Sequence, residues 1–121
     1  MKIALIGNAN CGKTTLFNLL TKSNEATGNR AGVTFGAKEA PLKSKKYTAE
    51  IVDLPGIYSL TSQKAEEKAA LDYLSRGDCD VIVDIIDASN LSRGLFLTLQ
   101  LISLQLFLSG EFFEVYPGIL Q

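Results

Sequence analysis

The chain has 121 residues, 46% hydrophobic and 21% charged, which is enough for one folded domain with a real core and unlike a disordered or fibrous composition. Twelve basic and thirteen acidic side chains leave a net charge of -1, so there is no basic field of the kind that grips nucleic acid or anionic lipid. No histidine is present, which excludes an imidazole base, a histidine metal ligand and a serine–histidine triad.

Residues 2–6 form a short apolar run that reads as a strand, and residues 13–21 follow with Leu16, Leu19 and Leu20 on one helical stripe. Between them lies the turn GNANCGKTT, residues 7–15. Residues 22–36 carry Gly28, Gly32 and Gly36 with no clean periodicity and read as a long mobile loop, a feature that in compact domains is usually functional. Residues 37–42 and 47–52 flank the basic turn 43–46 as a hairpin, and the turn itself reads as a solvated surface feature. The second strand runs into Asp53-Leu54-Pro55-Gly56, which breaks the pattern.

Residues 65–75 read as an amphipathic helix with Ala70, Leu71 and Leu74 on one side, stopped by Arg76-Gly77-Asp78. Residues 81–86 are a nearly continuous β-branched run, as expected of a strand buried on both faces of a parallel sheet. Asp84 interrupts it, and a paired or solvent-reaching carboxylate is the expectation there. Asp87, Ser89 and Asn90 supply N-cap chemistry for a helix from about Leu91 to Leu108. Its apolar part, residues 95–108, contains Thr98, Gln100, Ser103 and Gln105 and is too short and too polar to span a bilayer. Residues 112–116 could form one more short strand. Strands alternating with helices, plus one hairpin, predict an α/β domain with a mostly parallel sheet.

Gly7 to Thr14 fits G-x-x-x-x-G-K-[ST] at every defined position, with the required strand before and helix after. Glycines let the backbone curl so that successive N–H groups face phosphate oxygens, and the helix adds its positive N-terminal end. In such a turn Lys13 reaches the β and γ phosphates and the Thr14 hydroxyl holds Mg²⁺. Asp53 and Gly56 follow a strand at the spacing of a D-x-x-G motif, whose aspartate holds Mg²⁺ through water and whose glycine N–H meets the γ-phosphate. Thr34, between the two motifs, can offer a second hydroxyl to Mg²⁺. The nucleotide-binding candidates are therefore Gly7, Asn8, Ala9, Asn10, Cys11, Gly12, Lys13, Thr14, Thr15, Asp53 and Gly56. Cys11 and Cys79 lack metal-ligand spacing and fit a reduced, cytosolic setting.

GNANCGKTTLFN (7–18), GVT (32–34), DLPGIYSL (53–60), the pair Glu66 and Glu67, DYL (72–74) and DASNL (87–91) together resemble the N-terminal G domain of the ferrous-iron transport protein B (FeoB) family. The resemblance covers about residues 2–104. It implies a three-layer P-loop GTPase fold and a GTP/GDP-binding switch, joined in the intact family to a polytopic inner-membrane part that moves Fe²⁺. The domain would then sit at the cytoplasmic face of that membrane, and this chain alone would be cytoplasmic. The resemblance further implies that Asn10 helps hold a K⁺ ion that accelerates hydrolysis. It makes Asn10, Lys13, Thr34 and Gly56 the catalytic candidates, and Thr14, Thr34 and Asp53 the Mg²⁺ set. Ile57 stands where many GTPases carry a water-orienting glutamine, so intrinsic hydrolysis should be slow.

After Leu104 the resemblance ends. No N-K-x-D-like motif follows, so the expected organisation is a partial G domain over 1–108, incomplete at its C-terminus, and a divergent tail over 109–121. Two other readings stay open: a P-loop ATPase of another lineage, or a nonenzymatic remnant in which the strand at 81–86 is left as an exposed apolar edge prone to self-association.

Overall fold

The computed structural model describes residues 1–9, 11–22, 37–61, 63–108 and 116–117. Its elements in chain order are β1 (Lys2–Gly7), α1 (Lys13–Thr21), β2 (Lys38–Pro41), β3 (Glu50–Asp53), α2 (Ala65–Ser75), β4 (Val81–Ile86), α3 (Leu91–Leu108) and β5 (Tyr116–Pro117), with a single 3₁₀ turn at Ala88–Asn90 ahead of α3.

The sheet has the order β2-β3-β1-β4-β5. β1 pairs in parallel with β3 and β4, and β5 pairs in parallel with β4. β2 alone runs antiparallel, against β3. The hairpin strands are shorter than the sequence predicts, because Ser44 organises the connection: its Oγ accepts from the N–H groups of Lys46 and Tyr47, both at 3.1 Å. Pro41 is accommodated because β2 is an edge strand, where a missing N–H breaks no ladder.

Strand alternation divides the core into two. Leu5, Ile51, Ala40 and Ile85 pack with Phe17 of α1 and with Cys11 on one face. Ala4, Ile6, Val52 and Leu54 pack with Ala70, Tyr73 and Leu74 of α2 and with Leu97 and Leu101 of α3 on the other. The result is three layers, with α1 on one side of a mostly parallel sheet and α2 and α3 on the other.

Asp84 is buried, and Thr98 of α3 donates to its Oδ2, so of the two alternatives expected for it the paired one holds. One expectation changes. The apolar strand β4 is not a bare edge: Ile85 and Ile86 pair with Tyr116 and Pro117, leaving the start of the strand, where Val81 is 40% exposed, as the uncovered part. Of the predicted loop at residues 22–36, residues 23–36, with Gly28, Gly32, Thr34 and Gly36, lie outside the described residues, as does most of the tail.

Candidate functional site

β1 is the strand at which the chain order reverses, since β3 lies on one side of it and β4 on the other. Open α/β sheets bind ligands outside the carboxyl ends of the strands at such a point. The turn after β1 emerges there. Gly12, the residue before α1, has φ 98°, a left-handed conformation that favours glycine, and it aims the first N–H groups of α1 back over the turn. A Cβ on Gly7 would lie 2.6 Å from the Ile85 carbonyl oxygen and 2.8 Å from Cys11 Sγ, so a side chain at this position would force the turn off the sheet.

The second motif closes on the first. The Leu54 N–H donates to the Leu5 carbonyl at 3.1 Å and the Ile57 N–H to the Gly7 carbonyl at 3.1 Å, which laces residues 54–57 along the end of β1. Ile57 is buried in the core, so its side chain cannot reach a water at the site. The remainder of DLPGIYSL is held from both helices. Ser59 and Thr61 donate to Glu67 of α2, at 3.2 and 2.7 Å. The Leu60 N–H donates to Gln100 Oε1 of α3 at 2.9 Å, and the Arg93 guanidinium lies over the Tyr58 ring at 4.6 Å. The hydrogen bonds from Thr61 and Ser59 keep the Glu67 carboxyl below its ordinary range.

At the centre, Lys13 Nζ donates to Asp53 Oδ1 at 2.6 Å and to the Leu54 carbonyl at 2.7 Å. Lys38 Nζ lies 3.3 Å from Asp53 Oδ2. All three side chains are more than nine-tenths buried. Two ammonium groups around one carboxylate leave a net positive charge buried behind the turn, which suits an anion. The Asn8 Oδ1 atom is buried without a hydrogen-bond partner, as expected of a turn whose polar atoms are completed by a ligand. Thr14 is part-exposed and Thr15 exposed in the first turn of α1. Burial raises the Cys11 thiol above its ordinary value, which makes it a packing group and not a nucleophile.

The structure therefore brings together Gly7, Asn8, Ala9, Cys11, Gly12, Lys13, Thr14, Asp53 and Gly56. Asn10 and Thr34 lie outside the described residues. Lys38 was missed by the sequence reading. The available signal was the alternation of residues 38–41, which puts Lys38 on the same face as the buried Ala40. Among the described residues, no group of three or more His, Cys, Asp or Glu side chains is placed to hold a metal ion, and no helix is long and apolar enough to cross a membrane.

A glycine-curled turn between a central parallel strand and a helix, with its lysine on the aspartate of a D-x-P-G segment, defines a P-loop nucleotide-binding domain of the G-protein type. Comparison with known proteins narrows the class. The sequence model of the family described as "Ferrous iron transport protein B" matches residues 1–108. The Fe(2+) transporter FeoB of Escherichia coli K12 is 48% identical over 108 residues, covering 86% of this chain and 14% of its own length. The Fe(2+) transporter FeoB of Salmonella typhimurium is 47% identical over 108 residues, with the same coverage.

Among solved structures, mGMPPNP-bound NFeoB from S. thermophilus is 46% identical with a TM-score of 0.76, over 97% of this chain and 42% of that one. NFeoB from S. thermophilus bound to GDP·AlF4⁻ and K⁺ is 51% identical with a TM-score of 0.72, over 84% of this chain and 39% of that one. The cytosolic domain of T. maritima FeoB in its apo form is 38% identical with a TM-score of 0.77, over 97% and 44%. The chain belongs to the FeoB family and corresponds to its N-terminal G domain. It spans 14% of the length of the FeoB relatives it matches.

Proposed function

We propose that the chain is a Mg²⁺-dependent GTP-binding switch domain that hydrolyses GTP slowly, and that in an intact protein it sits at the cytoplasmic face of a membrane part moving ferrous iron. The observation that carries the reading is the placement of Lys13: its ammonium is held on Asp53 and the Leu54 carbonyl, directly behind the phosphate turn. A triphosphate gives this ammonium a stronger acceptor, so Lys13 would exchange Asp53 for the β and γ phosphates. Mg²⁺, if bound, would be held by the Thr14 and Thr34 hydroxyls and, through a water, by Asp53 once Lys13 has left its Oδ1. Mg²⁺, when bound, neutralises charge on the phosphate oxygens. The Gly56 N–H would report the γ-phosphate to the segment held by Glu67, Gln100 and Arg93.

The buried Ile57 supplies no hydrogen bond to an attacking water, which is why hydrolysis should be slow unless another charge assists. The relative from S. thermophilus is bound to both GDP·AlF4⁻ and K⁺. By its resemblance, Asn10 is the side chain we assign to such an ion. Equilibrium binding of a fluorescent GTP analogue with Mg²⁺ tests the reading, comparing the unaltered chain with Lys13→Ala. Saturable binding that the substitution removes supports the site. Binding that survives the substitution would place the nucleotide elsewhere.

A further inference from the structure

Asp53 is held by two lysines that differ in what else they can do. Lys13 lies in the phosphate turn and is the group expected to move. Lys38 lies in β2, on a strand fixed by the ladder, and its Cα is the register partner of Asp53 itself. The strand pleat puts both side chains on the α1 face, where Lys38 Nζ also lies 5.5 Å from the centroid of the Phe17 ring. Lys38 is 4% exposed and Asp53 is 1% exposed. Among the described residues, the two ammonium groups are the charged partners of the Asp53 side chain.

When Lys13 turns to phosphate, Asp53 is left in the interior next to newly arrived negative charge. A buried carboxylate without a partner is strongly unfavourable. Something must carry that charge until a cation arrives. The geometry points to Lys38 as a positioning residue, the fixed counter-ion that keeps Asp53 Oδ2 paired while Lys13 leaves Oδ1, so that nucleotide can enter before Mg²⁺ does. The inference rests on the nucleotide-binding reading above and adds to it a residue and an order of events. It also explains why a lysine is tolerated on an inward face of an edge strand: cation–π contact with Phe17 and a cross-strand carboxylate offset its desolvation.

The test measures binding of N-methylanthraniloyl-GDP to the full chain in EDTA and at saturating Mg²⁺. Lys38→Met retains the aliphatic stem and removes the charge. It is expected to weaken binding at least about tenfold in EDTA, equivalent to about 1.4 kcal/mol, and about threefold or less with Mg²⁺ present. Lys38→Arg should restore the EDTA affinity. In an Asp53→Asn background, Lys38→Met should cost little in either buffer, because no buried charge remains to be paired. Equal losses in EDTA and Mg²⁺, or the same loss once Asp53→Asn is already in place, would show that Lys38 acts only as packing and would overturn the inference. If Lys38→Met does not fold, the decision falls to Lys38→Arg: its failure to bind in EDTA while binding with Mg²⁺ overturns counter-ion equivalence, and full binding in both supports it. Absence of binding by the unaltered chain in both buffers would instead overturn the nucleotide reading, and this inference with it.

Discussion

Gly56 lies against Ala9: a Cβ built on Gly56 would sit 2.9 Å from the Ala9 Cα and 3.1 Å from its nitrogen. The D-x-P-G segment and the phosphate turn are thus in backbone contact before any ligand arrives, and movement of one must be felt by the other. Gly56→Ala is expected to push the two apart, with a cost of about 1–3 kcal/mol from overpacking. Affinity for the GTP analogue should fall more than affinity for GDP, since Gly56 is assigned to the γ-phosphate. Parallel titrations with the two nucleotides check this.

Lys13→Ala should separate binding from folding. Removing the ammonium takes a partner from Asp53 Oδ1, yet Lys38 remains on Oδ2. The loss of stability should therefore fall short of the roughly 3–5 kcal/mol typical of orphaning a buried charge. Nucleotide binding should disappear altogether. Chemical denaturation of the empty chain and binding at saturating Mg²⁺ read the two effects independently.

Gly94 occupies the first turn of α3 beside β4, where an added Cβ would lie 2.6 Å from Ile86 Cγ2. Alanine would gain about 1 kcal/mol in helix propensity. The β-branched neighbour cannot swing away, and overpacking of this kind costs about 1–3 kcal/mol. Gly94→Ala should therefore destabilise the fold on balance, which a shift of the denaturation midpoint at unchanged slope would register.

Burial raises the Asp84 carboxyl above its ordinary value of 3.8, and the hydrogen bond from Thr98 only partly offsets this. In the window between the ordinary and the raised value, the folded chain holds a proton that the unfolded chain has released. This group's contribution to stability thus falls as pH rises through that window. Asp84→Asn, which stays neutral, should flatten that part of the profile. Thermal midpoints of both chains, taken at intervals from about pH 4 to pH 7, would show the two curves converging at the acid end.

Much of this fold was legible because its signals are local. The helices Lys13–Thr21 and Ala65–Ser75 and the strand Val81–Ile86 have the bounds that periodicity and stop signals predict. Asp87 caps as anticipated, accepting from the Ser89 N–H at 2.9 Å, although it caps a 3₁₀ turn that leads into α3 and not α3 itself. The phosphate turn was equally plain, since one strand, one turn and one helix specify it. What escaped the sequence depends on register and on distant partners. Alternation in the short strand could put Lys38 on the face of Ala40, but only the pairing with β3 sets it opposite Asp53. A paired Asp84 was among the alternatives expected, but that Thr98 is its partner depends on how α3 packs over β4. The grip of Gln100 on the Leu60 N–H joins residues 40 positions apart, which no local pattern encodes.

Competition shows whether this turn serves a guanine nucleotide switch. Unlabelled GTP and ATP are titrated against a bound fluorescent GTP analogue, in Mg²⁺ with K⁺ and then with Na⁺. Displacement by GTP is expected at concentrations at least about tenfold below those needed for ATP, with faster phosphate release in K⁺ than in Na⁺. Equal displacement by both nucleotides, or no displaceable binding at all, would contradict that role.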